Sequence, residues 1–134
     1  MVYLVPLGRF LYSAIFLFTV MGHFSARYIG YAAQAGVPAP GLLVPVSGVI
    51  ATLGGLSVTL GYKAKLGGWL LVLFLVPVTL KMHNFWAVTD PTMHDIQMVL
   101  FMKNVSMLGA ALLITHFGAG PLSLDARRAS SPLA

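Results

Sequence analysis

Isolated polar side chains within long apolar stretches are the residues of this sequence that could do chemistry. Seven stand out: Arg9, His23, His83, Asn84, Lys103, Asn104 and His116. Lysine supplies an ammonium group, and histidine and asparagine supply hydrogen-bond donors, so together they could hold a small ligand with carbonyl or anionic oxygens. The neighbouring Phe85 and Trp86 could stack on a flat ring. A quinone head group has these properties, as do many lipids.

Other kinds of chemistry find no matching motif in the sequence. The 134 residues contain no cysteine and no glutamate, which excludes thiolate metal sites and thiol–disulfide exchange within this chain. His83 and His94 lack the helical i, i+4 spacing that is typical of a metal site, so we expect no metal. Glycine-rich phosphate loops, nucleophile motifs and paired acids are absent. Hydrolysis and phosphoryl transfer are therefore not expected.

The composition places these residues in a membrane protein. Hydrophobic residues make up 58% of the chain and charged residues 8%, whereas about a quarter of a soluble domain is charged. Three acidic and eight basic side chains cannot cover the surface of a soluble domain of this size, so lipid must cover it. The basic residues are scattered rather than clustered, which argues against nucleic-acid binding.

Four apolar segments are long enough to cross a bilayer, which takes about 20 residues in a helix. We predict an all-α, four-helix transmembrane bundle with spans at 4–24, 42–60, 66–82 and 96–117. Residues 1–122 would form this membrane domain, with a short interfacial helix within 27–41. Residues 123–134 would form a polar cytoplasmic tail that is disordered at its end.

The distribution of basic residues predicts the topology. With four spans, the two termini and the turn at 61–65 share one side, which collects five basic residues: Arg9, Lys63, Lys65, Arg127 and Arg128. The other side has three, so we expect both termini in the cytoplasm. Arg9 would reach the cytoplasmic headgroups.

Antiparallel packing would bring the candidate residues of separate helices to the outer face. The predicted ligand site comprises six residues: His23, His83, Asn84, Trp86, Lys103 and Asn104. Asp95 could neutralise Lys103. Each residue also has a structural interpretation, because His23 and His83 could bond carbonyls of neighbouring helices and Lys103 could snorkel towards the headgroups.

The second span contains small residues at every fourth position, namely Ser47, Ala51, Gly55 and Thr59. Small residues at this spacing let two helix backbones approach closely. We assign the stripe to packing inside the bundle rather than to a dimer contact, although a homo-oligomer stays open.

Short segments along almost the whole chain resemble the DoxX family of small bacterial four-span membrane proteins. They are 7–11, 31–40, 53–56, 77–79, 83–86, 101–104 and 120–125, including His83-Asn84-Phe85-Trp86 and Phe101-Met102-Lys103-Asn104. The resemblance implies a protein of the bacterial inner membrane. It also implies a link to complexes such as thiosulfate:quinone oxidoreductase, which pass electrons to quinone.

Three functions follow as hypotheses. The first is an accessory subunit of a quinone-linked membrane redox assembly, with quinone as the bound cofactor. The second is a non-catalytic structural or trafficking partner that docks against another membrane protein, with the polar residues serving packing. The third is a small transporter, which would need an oligomer to enclose a pathway.

Overall fold

The computed structural model describes residues 1–130, and this part of the chain is helical with no strands. The helices are α1 Leu4–Phe18, α2 Ala26–Gln34, α3 Pro40–Leu60, α4 Ala64–Met82, α5 Pro91–Phe117 and α6 Leu124–Ala129. Short 3-10 turns at Val20–Phe24 and Phe85–Ala87 extend α1 and α4, and these two helices together with α3 and α5 are long and apolar enough to span a membrane. The prediction of an all-α protein with four spans is confirmed.

Local sequence signals set the ends of these helices. The longest span, α5, begins at Pro91, five residues before the predicted start. Asp90 caps this end, because its carboxylate accepts a hydrogen bond of 2.8 Å from the backbone N–H of Met93. Proline suits the first turn since it lacks the N–H that would go unpaired there. A prediction from hydropathy alone misses this turn because its side chains are polar.

Glycines determine how closely the spans pack. Gly55 lies against α1, Gly54 against α4, and Gly68 of α4 against α5. A Cβ atom at Gly68 would lie 3.1 Å from the carbonyl oxygen of Ala111, closer than ordinary van der Waals contact. The small residues of α3 therefore face the bundle interior, as their four-residue repeat predicts.

The four spans pack in the order α1, α3, α4, α5, so that α4 lies inside the bundle and α5 at its edge. One third (33%) of the span around α4 is buried, compared with 11% of α5. The buried core consists of Phe16, Ala51, Val58, Leu71, Leu75 and Ala111. Tyr12 of α1 reaches across to α5, where its hydroxyl donates a 3.0 Å hydrogen bond to the carbonyl of Met107.

The helix directions give the bundle two different faces. The terminal face contains the N-terminus, the turn at 61–63 and residues 118–130, whereas the loop face contains residues 19–39 and 83–90. On the loop face, α2 follows the first span and ends at a turn in which Gly36 takes a φ of +73°, a left-handed conformation that glycine adopts without strain.

Candidate functional site

A chain of three hydrogen-bonded side chains connects α2, α4 and α5 at the loop face. His83, the residue after α4, places its Nδ1 2.8 Å from the Oε1 of Gln97, so the ring nitrogen donates to the amide oxygen. The Gln97 amide nitrogen then donates to the hydroxyl of Tyr31 at 3.3 Å. Sequence reasoning identified His83 but missed its two partners, because a glutamine and a tyrosine near a membrane surface carry no distinctive spacing.

A groove of about 430 Å³ opens beside this chain of side chains. It is lined by Tyr31, Gln34, Ala35, Met82, Asn84, Ala87, Val88, Thr89, Asp90, Met93 and Gln97. Its walls carry several hydrogen-bonding groups. Of the six residues predicted to form a ligand site, Asn84 is the one that lines this groove.

His23 lies apart from the groove, in the 3-10 turn after α1. It is buried, and its Nδ1 lies 3.1 Å from the carbonyl oxygen of Thr19, to which it donates. Its ring packs edge-on against Phe74 and Tyr28, with centroid distances of 5.7 and 6.0 Å. A Cβ atom at Gly48 of α3 would collide with it. His23 therefore bonds a carbonyl of its own segment, four residues earlier, and not a carbonyl of a neighbouring helix as its structural interpretation expected.

Trp86 and the Lys103–Asn104 pair also lie outside the groove. Trp86 packs against the rings of Phe85 and Phe101, at centroid distances of 5.3 and 5.8 Å, while most of its side chain stays exposed. Adjacent residues of a helix point about 100° apart. Asn104 is accordingly buried in the bundle, on the stripe of α5 that includes Gln97, whereas Lys103 is exposed on the outside.

The expected neutralisation of Lys103 by Asp95 is wrong. Asp95 instead contacts His94, with 3.3 Å between Nδ1 and Oδ1, and no lysine or arginine forms an ion pair within residues 1–130. Eight residues separate Asp95 from Lys103 along α5, which is about 12 Å of helix rise. The structure thus does not gather the six predicted residues in one pocket. That any of them binds a ligand, quinone included, stays a prediction.

Arg9 is buried at the terminal face, so the expectation that it reaches headgroups is wrong. Its guanidinium donates hydrogen bonds to three carbonyls of the segment after α5: that of Ala119, that of Leu122 at 2.7 Å and that of Pro121 at 3.4 Å. A guanidinium is suited to this task because it presents five donors in a fixed plane. Arg9 therefore fastens the C-terminal segment to α1.

Asp125 fastens the same segment to the α3–α4 turn. Its carboxylate accepts hydrogen bonds from the backbone N–H of Lys63 at 2.7 Å and of Ala64 at 3.0 Å, which caps the start of α4. Its own N–H donates to the carbonyl of Gly61 at 2.8 Å. Residues 118–129 are thus a folded part of the terminal face. The predicted disorder at the tail's end concerns 131–134, which lie outside the described residues.

The outward face of α5 combines exposed apolar side chains, such as Met102 and Val105, with polar and small residues. It carries Lys103, Ser106 and Gly109, which are exposed and follow one another at three-residue intervals. A Cβ atom at Gly109 would meet open space. The exposed positions of α3, by contrast, are leucine and valine from Leu42 to Leu60. We call Lys103, Ser106 and Gly109 the α5 polar face.

The described part of the chain contains no cluster of side chains that could bind a metal ion. Residues 1–130 contain no group of three histidine or aspartate side chains placed to hold a metal ion. Arg9, His23 and His83 are instead hydrogen-bonded within the protein.

Comparison with known proteins gives a family and two relatives. The SURF4 family model matches residues 43–130, about two thirds of the chain. Inner membrane protein YphA of Escherichia coli is 30% identical over 99 residues, which cover 74% of this chain and 70% of YphA. ER-derived vesicles protein ERV29 of Saccharomyces cerevisiae is 35% identical over 68 residues, covering 51% of this chain but 22% of ERV29. No solved structure matches the chain significantly.

These findings overturn the resemblance to the DoxX family. That resemblance rested on segments of a few, largely apolar residues, and different families of four-span proteins share such segments because every membrane span must be predominantly apolar. The SURF4 match extends instead over α3, α4, α5 and the docked C-terminal segment. The quinone-linked activity that DoxX implied loses its support. The chain belongs to the SURF4 family.

Proposed function

We propose that the protein is a non-catalytic membrane partner, which docks another membrane protein along the α5 polar face. The observation that carries the proposal is the exposure of Lys103, Ser106 and Gly109 on the least buried span. Small and polar residues on a lipid-exposed helix surface are costly or neutral in lipid, but they favour contact with another helix. Gly109 allows close approach of another backbone, and the hydroxyl oxygen of Ser106, which donates its hydrogen to the carbonyl of Met102 at 3.0 Å, can still accept a hydrogen bond.

The interior polar groups support a structural role rather than a catalytic one. Arg9, His23 and His83 are each bonded within the protein, to backbone carbonyls or to Gln97. Their contacts fix helices and turns in place. Lys103, by contrast, is exposed and forms no ion pair within residues 1–130.

The partner we propose is a transmembrane helix with a carboxylate in its span. Gln97 marks the level at which α4 ends, and Lys103 lies six residues deeper, which is about 9 Å of helix rise. An extended lysine side chain spans about 6 Å, so its ammonium comes near the membrane interface but does not reach the level of Gln97. Within residues 1–130, the protein itself places no carboxylate beside it. An aspartate or glutamate in the span of a partner protein would supply this counter-charge at the depth of Lys103.

A second copy of this chain does not supply that carboxylate. Its three acidic residues are Asp90, Asp95 and Asp125. Asp90 caps the start of α5, Asp95 lies near the same end, and Asp125 caps α4 at the terminal face. None lies at the depth of Lys103, which favours a different protein as the partner.

The names of the relatives agree with a membrane protein, and the name of ERV29 agrees with a role in trafficking. The name of ERV29 assigns it to vesicles derived from the endoplasmic reticulum, and the name of YphA assigns it to the inner membrane. We propose that this protein lies in the bacterial inner membrane, with both termini in the cytoplasm. Docking there would hold or accompany the partner rather than transform a substrate.

Photocrosslinking in native membranes tests the proposal. A photoreactive amino acid replaces Ser106 on the α5 polar face, and in a matched control it replaces Leu53, which is also exposed but lies on the apolar face of α3. We expect one dominant protein adduct from position 106 and lipid adducts from position 53. Mass spectrometry identifies the adduct, whose membrane span should contain an aspartate or glutamate.

Two results would count against the docking proposal. One is that position 106 gives lipid adducts alone at normal expression. The other is that both positions capture the same mixture of abundant proteins, since that pattern reports random encounter in the membrane rather than a specific surface.

A further inference from the structure

A second groove, of about 470 Å³, lies at the terminal face, away from the α5 polar face. Lys63 and Lys65 line it together with Ser123, Asp125, Ala126 and residues 117–120. The stem of Lys65 lies over Gly118, because a Cβ atom there would lie 3.5 Å from the Lys65 Cε. This contact directs a cationic side chain along the wall of the groove.

The charges around this groove are unbalanced. Arg127 and Arg128 on α6 add to the two lysines, and the guanidinium of Arg128 lies 4.9 Å from the ring centroid of Tyr62 in the α3–α4 turn. The single nearby acid, Asp125, already accepts two backbone N–H groups. Within residues 1–130 it forms no ion pair with any of these four cations. An anion bound here would therefore meet several cations that have no carboxylate partner within residues 1–130.

The level of the groove in the membrane identifies the kind of anion. Lys65 is the second residue of α4 and Phe117 the last of α5, so the groove lies where these spans leave the hydrocarbon core. Lipid phosphates occupy this zone of a bilayer. Phe117 lines the groove, is largely exposed and lies at the level where lipid tails begin. The groove thus combines cationic walls with an apolar side.

We infer that this groove binds the phosphate group of an anionic phospholipid, with Lys63 and Lys65 as its cationic ligands and the acyl chains against Phe117. Basic pockets between transmembrane helices on the cytoplasmic side favour such headgroups. The apolar side distinguishes a lipid from free phosphate, which gains nothing from Phe117. The segment 118–125 forms one wall, so bound lipid would also stabilise its docked position.

Native mass spectrometry from mixed lipid nanodiscs tests this inference. The protein is reconstituted with equal amounts of dioleoyl phosphatidylglycerol and dioleoyl phosphatidylcholine, and the ratio of the two retained lipids is measured. We expect the wild type to retain phosphatidylglycerol preferentially. In the double variant Lys63→Gln/Lys65→Gln, the ratio of retained phosphatidylglycerol to phosphatidylcholine should fall by about fivefold for each lysine removed. The matched control Arg27→Gln/Lys81→Gln, which removes two cations of the loop face, should keep it.

A thermal-unfolding measurement in phosphatidylcholine alone shows that the double variant still folds, because neither lysine side chain forms part of the buried core. Lys65→Arg, which keeps the charge, should retain the preference. An unchanged lipid ratio in the double variant would overturn the inference. So would stabilisation of the wild type by inorganic phosphate equal to that by phosphatidylglycerol, since it would show a phosphate site that needs no lipid.

Discussion

At the residue scale, Arg9 shows how a charged side chain in a membrane helix is accommodated without a carboxylate in direct contact. Three carbonyls of one short segment receive its hydrogen bonds, and the nearest acid, Asp125, is bonded to the backbone instead. The segment contains Gly118 and Gly120 with positive φ, and Leu122 with a φ of +51°, a conformation that a leucine rarely adopts. The bonds to Arg9 offset that strain.

Replacing Arg9 by alanine should release the C-terminal segment from α1. Hydrogen bonds to charged groups stabilise by about 1.5–3 kcal/mol each, and the freed carbonyls can bind water, so we expect a loss of about 3 kcal/mol in the free energy of unfolding. Limited trypsin digestion at Arg127 and Arg128 measures the release, and it should speed up by at least tenfold. Arg27→Ala, at the exposed loop face, should leave cleavage unchanged, and unchanged cleavage in Arg9→Ala would contradict the account.

A double-mutant cycle should detect the hydrogen bond between His83 and Gln97. Loss of this bond leaves a polar group without its partner, so we expect a coupling energy of about 1 kcal/mol between His83→Ala and Gln97→Leu. Reversible unfolding in detergent measures it. His83→Ala combined with His116→Ala, at the opposite end of the bundle, serves as the additive control. Full additivity for His83 and Gln97 would mean that the bond contributes nothing in the membrane protein.

At the element scale, the contacts of α4 and α5 depend on glycines that have no room for a side chain. Gly68 faces the carbonyl of Ala111 at the helix crossing, whereas Gly109 lies on the outer side of the neighbouring helix. The same substitution at these two sites therefore separates packing from helix propensity.

Gly68→Ala should destabilise the protein and Gly109→Ala should not. The added methyl group at position 68 forces α4 away from α5, and overpacking of this kind costs about 1–3 kcal/mol. At position 109 the methyl group enters open space, and alanine favours the helix more than glycine does. The free energy of unfolding should therefore rise by as much as about 1 kcal/mol. Thermal unfolding of both variants in one detergent compares them. Equal shifts in the same direction would show that the spans are not held by this glycine contact.

The sequence was sufficient for the elements but not for their contacts. Uninterrupted apolar stretches of about 20 residues define membrane helices because every backbone polar group must be bonded within the span. The bonds of Arg9 to carbonyls around Leu122 join residues more than 100 positions apart, and no local pattern signals them. Lys103 and Asn104 are adjacent in sequence, yet their helix positions separate them into an exposed and a buried residue. Family recognition failed for a related reason, since short apolar segments carry little information.

At the scale of the whole molecule, the asymmetry of charge between the two faces predicts its orientation. Cations at the terminal face outnumber those of the other side by five to three, and four of the five lie outside the bundle core, on the α3–α4 turn, at the start of α4 and on α6. Positively charged segments of this kind remain in the cytoplasm. The loop face, with α2 and the groove at Asn84, would then face outward.

Reporter fusions test this orientation. Green fluorescent protein joined after Ala134 should fluoresce, because it folds in the cytoplasm, and alkaline phosphatase at the same position should be inactive. Inserting the phosphatase in the turn at Gly36, which is exposed on the loop face, should give high activity. The reverse pattern would place the termini outside and would remove the topological support for the lipid site at the terminal face.

The most direct test of the central claim is quantitative co-purification from native membranes at normal expression. Wild type is compared with Lys103→Glu, which inverts the charge of the α5 polar face, and with Lys81→Glu, which inverts an exposed charge at the end of α4. The account predicts one dominant protein partner with a carboxylate in its membrane span, reduced at least tenfold by Lys103→Glu and unaffected by Lys81→Glu. No dominant partner, or equal recovery with both variants, would contradict it.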